Sequence, residues 1–194
     1  MFQRSQLNFQ PPEAPQFRVQ LKSGPVAYVL PDRELPLVNV SILVRCGDYL
    51  DPAGKEGLAQ FAGELLVEGG TTNLDAAAFE ERLAFLAAQM QATIGDTSGT
   101  VSLNLLAKDL DEGLGLLRDV LATPRFQPDR VELRRAQFAQ EMRQRNDDSA
   151  AIEARQLGRL AYGDRFWLNR DFTSNSLARF TRVDLVDFHH RWFH

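Results

Sequence analysis

The chain has 194 residues, 44% hydrophobic and 25% charged, with a net charge of −4 and a pI near 5.4. A composition of this kind supports a buried core without covalent staples and excludes a mainly disordered chain. Lys and Arg are interspersed with acids rather than gathered in a block, which excludes a nucleic-acid footprint. No apolar run approaches the ~20 residues that a membrane-spanning helix needs, so no transmembrane segment is expected. Cys46 is the single cysteine, so there is no internal disulfide framework, and its place in an apolar run makes it a small buried hydrophobe.

Residues 1–16 read as an extended lead-in, because three prolines between 8 and 16 remove donors and resist helix. Strands are expected at 17–21, 25–30 and 37–44, the last alternating Val and Ile with Asn39 and Ser41. Helical spacing follows in Leu58, Phe61, Leu65 and Leu66, stopped by Gly69-Gly70. Asn73 is the expected N-cap of a helix with the stripe Phe79, Leu83, Leu86. Two strands, 90–94 and 100–106, flank the turn 95–99. Leu110, Leu114, Leu117 and Leu121 mark a helix that stops before Pro124. Further helices are expected from Asp129 to Arg145, from Ser149 to Tyr162, and from Thr181 with Asp184 as a capping-box partner. The order of strands, helices, strands and helices predicts an α+β fold, with helices packed against a sheet. No linker interrupts 17–194, which is read as one domain. The helical ending at Trp192-Phe193-His194 predicts that more chain follows.

The segment from Arg45 to Thr71 (RCGDYLDPAGKEGLAQFAGELLVEGGT) resembles the pitrilysin/insulinase family of zinc peptidases, processing peptidases included. There a glycine turn leads into a Gly-Leu-Ala helix that carries H-x-x-E-H and ends before Gly-Thr. The resemblance continues in order through Lys108–Leu114, Leu121–Phe126, Glu141-Met-Arg, Leu160–Asp164 and Phe180–Leu185. It implies a LuxS/processing-peptidase-like α/β sandwich with a sheet of five to six mainly antiparallel strands covered on one side by helices. It also implies that a second homologous domain follows.

In the active relatives the two histidines and a distant glutamate hold zinc, and the motif glutamate is the general base. The resemblance puts Gln60 at the first histidine, Gly63 at the base and Glu64 at the second histidine. Glu141 stands at the distant ligand, with 76 residues between it and Glu64. A carboxamide is a poor zinc ligand, Gly63 has nothing to take a proton, and Glu64 is a hard oxygen donor. Arg134, where active members carry another acid, brings a cation that repels metal. The resemblance thus implies a degenerate site and no catalytic residues. No cofactor is expected, with Glu64 and Glu141 as weak candidates for a metal that favours oxygen ligands. Arg134 or Arg135 is an available ion-pair partner for both.

The leading expectation is a non-catalytic subunit that helps to form a peptide-binding chamber with a homologous zinc-bearing partner. The alternatives are a structural subunit of a larger assembly and a residual metal-dependent peptidase. The strand residues Ala92, Thr93 and Ile94 match the family's edge strand, so they are the candidates for binding a peptide or unfolded polypeptide by β-augmentation. His189, His190 and His194 cluster at a helix C-terminus, where packing and capping account for them. Gly113-Leu114-Gly115 lies inside a leucine-periodic helix and is no phosphate loop. The arginines at 130–145 alternate with acids as a solvated helix face does. Met1–Leu7 carries no apolar signal core, leaving the bacterial cytoplasm and the periplasm or envelope both open.

Overall fold

The computed structural model describes residues 13–145, 147–164 and 166–193, and the chain divides into two units between Pro36 and Leu37. In the first unit, α1 (Ala14–Phe17) precedes the antiparallel pair β1 (Arg18–Gln20) and β2 (Val26–Tyr28). The described end of the expected lead-in is therefore a single helical turn rather than extended chain. Pro15 suits that turn, since its fixed φ and missing N–H do no harm there.

In the second unit, β3 (Leu37–Val44), β4 (Gln89–Ile94) and β5 (Gly99–Leu106) form an antiparallel sheet in the order β3-β5-β4. The five described strands thus form two sheets, of two and three strands, where one sheet of five to six was expected. Period-2 alternation turns Met90, Ala92, Ile94, Val101, Leu103 and Leu105 inward. Asn39, Asn104 and Gln89 share one cross-strand row on the other face.

Helices cover the inner face. α2 (Leu58–Glu68) lies on β4, and α3 (Ala76–Phe85) also touches it. α4 (Leu110–Ala122) lies on β5. α5 (Pro128–Gln144), α7 (Ser174–Arg179) and α8 (Arg182–Trp192) complete the layer, and α6 (Ser149–Tyr162) buries no residue fully. Phe61 of α2 joins the layer together. Its ring meets Phe138 of α5 edge-on at 5.2 Å and Phe180 at 5.4 Å.

Three local expectations change. Asp75, not Asn73, caps α3 by accepting from Ala78 N–H at 2.9 Å, while Asn73 donates to Asp119 at 2.7 Å. α5 begins two residues early: Gln127 rather than Asp129 is its N-cap, with Pro128 in its first turn. The buried stripe of α4 is Gly113, Leu116, Leu117 and Val120, leaving Leu114 outside. Gly113 sets that phase: a Cβ there would lie 2.2 Å from Leu105 Cδ1, so only glycine lets α4 come so close to β5. The expected box at Thr181 is complete, with Asp184 reciprocating.

Candidate functional site

The site helix α2 is anchored before it begins. Asp51 is 6% exposed and accepts from the backbone N–H of Gly57 at 2.6 Å and of Ala59 at 2.8 Å. Two donors at the helix start are thereby satisfied by one carboxylate. Gly57 has φ +90° and packs against Phe172, where a Cβ would lie 2.7 Å from Phe172 Cβ. The helix ends at Glu68, and Gly70, at φ +70°, supplies the left-handed residue that follows.

Burial pushes Asp51 up to about 7 against the pull of those two N–H groups, with Asp48 adding to the rise. Burial also pushes Asp48 up to about 6, with Asp96 beside it. Asp51 does not stand out in the sequence as a residue of the site. Its one signal was an acid six residues before the glycine that opens a helix.

Gln60, Gly63 and Glu64 share one face of α2, as i, i+3 and i+4 spacing demands. Gln60 is half-buried, and its side chain has no hydrogen-bond partner among the described residues. Gly63 is pressed against β4: a Cβ would lie 2.7 Å from Ile94 Cγ1 and 3.0 Å from its Cδ1. A glutamate there would have to displace Ile94.

Glu64 meets α5 through Arg134, whose Nη2 is in direct contact with Glu64 Oε2. Arg134 Nη1 donates to Glu141 Oε1 at 3.1 Å and to Gln137 Oε1 at 3.0 Å. The guanidinium carbon sits 4.6 Å from the centre of the Phe138 ring. Side-chain exposure is 15% for Arg134, 23% for Glu64 and 50% for Glu141. Burial raises the Glu64 carboxyl above its ordinary range, and Arg134 draws it back. The structure therefore brings Glu64 and Glu141 together, but around a cation. Arg135, the other possible partner, is turned away and donates to the carbonyls of Leu177 and Phe180.

These residues do not fit the zinc that the resemblance implies for active members of the family. Both carboxylates are already paired with one guanidinium, and the remaining position offers only a carboxamide. No group of three or more His, Cys, Asp or Glu side chains among the described residues is placed to share a metal ion. His189 is buried and donates from Nε2 to Leu121 O at 2.8 Å, since a carbonyl can only accept. Burial lowers its pKa, while the Leu121 bond opposes that shift. His190 is exposed, and His194 lies outside the described residues. Cys46 is fully buried, and desolvation pushes its thiol up to about 11, so it is no nucleophile at neutral pH.

Beside α2 lies the open edge of the sheet. β4 pairs with β5 on one side, and no described strand pairs with its other side. Gly95 N–H bonds Ser98 O at 3.0 Å, so strict alternation turns the backbone groups of Thr93 toward β5. Those of Ala92 and Ile94 face the open edge, while their side chains point into the core.

An antiparallel sheet under helices, with α2 lying along an edge strand, defines an α/β sandwich. The family model of the insulinase family (peptidase family M16) matches residues 29–165, and the chain belongs to that family. Its fold is similar to a peptidase M16 inactive domain from Pseudomonas fluorescens, at a TM-score of 0.79 and 19% identity over 89% of this chain and 42% of that one. It is similar to a protease from Helicobacter pylori, at a TM-score of 0.76 and 20% identity over 91% of this chain and 43% of that one. The ferredoxin protease FusC, solved in complex with Arabidopsis ferredoxin, gives a TM-score of 0.74 and 17% identity over 90% of this chain and 19% of that one. This chain spans less than half the length of each of these structures. No curated protein matches the sequence.

Proposed function

We propose that this chain is a non-catalytic M16 domain that holds an extended peptide while a homologous zinc-bearing subunit performs the cleavage. The observation that carries this reading is Arg134, which occupies both carboxylates that would otherwise be left for a metal. Gly63 adds to it, since the general-base position has neither a side chain nor room for one while Ile94 stays in place.

What remains fit for use is the backbone of β4. Ala92 and Ile94 offer N–H and C=O groups to an added strand, which gives affinity without chemistry. The FusC structure with ferredoxin bound supports a polypeptide as the class of ligand.

The test is reconstitution with a homologue that encodes an intact H-x-x-E-H. The expected result is a stable complex whose peptide turnover exceeds that of the zinc-bearing chain alone. A homologue that neither binds this chain nor gains activity from it would defeat the proposal.

A further inference from the structure

The cluster around Arg134 has a mechanical consequence of its own. α2 and α5 meet through the Phe61–Phe138 ring pair and, on the polar side, through this guanidinium. Glu64 comes from one helix, while Glu141 and Gln137 come from the other. A guanidinium carries five donors in a rigid plane, so it can serve acceptors on two helices at once. Its flat face rests on Phe138, and little of it reaches solvent.

The charges acting on Glu64 are those of Arg134, Glu141 and Glu68. Arg134 is the cation of that set. Without it, three carboxylates would act on one another across the helix pair.

We propose that Arg134 is an internal, permanent cation that locks α2 to α5 in place of a metal, so that the helix pair neither needs nor admits a divalent ion. An arginine stays charged at any physiological pH, unlike a lysine or histidine in the same setting. The cation of the lock thus keeps its charge across physiological pH and needs no metal supply. This inference stands on the geometry of the cluster and is independent of the peptide-holding role, because its readout is stability rather than turnover.

The test is thermal melting of the full chain as wild type, Arg134→Lys, Arg134→Met and Arg134→Met/Glu64→Gln, in EDTA and in millimolar manganese. The wild type is expected to melt at the same temperature in both. Arg134→Met should melt roughly 4–8 °C lower, because a partly buried carboxylate loses its partner. Part of that loss should return with manganese, which favours oxygen ligands, and part with Glu64→Gln. Arg134→Lys should fall between, since an ammonium lacks the planar fork. If Arg134→Met does not fold, the lysine variant decides. A lysine or methionine variant that melts with the wild type would overturn the lock, as would a wild type destabilised by EDTA.

Discussion

Two neighbouring regions of this molecule have been treated differently. In the helix pair α2–α5 the carboxylates of Glu64 and Glu141 are closed off by Arg134, while the edge of β4 keeps its backbone groups open. Ile94 belongs to both regions: its side chain fills the space at Gly63 and its backbone faces the open edge. The difference teaches that side-chain chemistry and backbone recognition are separable in this fold. On the proposed reading, a few side chains on one helix face decide the first, whereas the second depends on topology.

The sharpest way to break this separation is Gly63→Glu. A new carboxylate would meet Ile94 at van der Waals overlap with no cation assigned to it, so a loss of about 2–4 kcal/mol is expected in chemical denaturation. Adding Ile94→Ala should recover part of the overpacking. If Gly63→Glu is as stable as the wild type, the space at Ile94 is not the obstacle described above.

Asp51→Ala comes next, with an expected loss of about 1–3 kcal/mol, because two backbone N–H groups at the start of α2 lose their acceptor. Asp51 also carries a pH signature. Its folded pKa of about 7 lies above the unfolded value of 3.8, so the folded state holds more protons between those limits. The contribution therefore favours folding at acid pH and is lost as pH rises through about 7. Asp51→Asn should flatten that part of the stability–pH curve, and an unchanged slope would show that Asp51 does not titrate there.

The smallest effect on folding, but a direct one on recognition, is expected from Ala92→Pro. It removes an N–H from the open edge and leaves the ladder to β5 intact, the one setting in which a strand tolerates proline. Peptide binding measured by fluorescence anisotropy should weaken about tenfold or more. Unchanged binding would move the peptide away from β4.

Much of the fold was legible in the sequence because the periodicities are local. Strands 37–44 and 100–106 alternate cleanly, and Gly69-Gly70 and Thr181 mark helix ends by their backbone and capping chemistry. The misreadings have physical causes. Asn73 and Asp75 are both good caps, and contact with Asp119 decided between them. Of the leucine stripe of α4, Leu110, Leu117 and Leu121 do pack on the core, while Leu114 falls outside and Gly113 takes part through a close approach that hydrophobicity does not register. At the site, Arg134 and Glu141 are two turns apart on one helix and could be paired by inspection. That Glu64 joins Arg134 rather than Arg135, and that Ile94 fills the place beside Gly63, depends on contacts between distant segments. No local pattern encodes those contacts.

The proposal that Gln60, Glu64 and Glu141 do not hold zinc is tested most directly by metal stoichiometry. The purified chain would be incubated with excess zinc, freed of unbound metal and analysed for zinc per chain. The account predicts fewer than about 0.1 equivalent, since a guanidinium already holds both carboxylates. A value near one equivalent, lost on Glu64→Gln or Glu141→Gln, would contradict it and restore this chain to the metal-dependent members of its family.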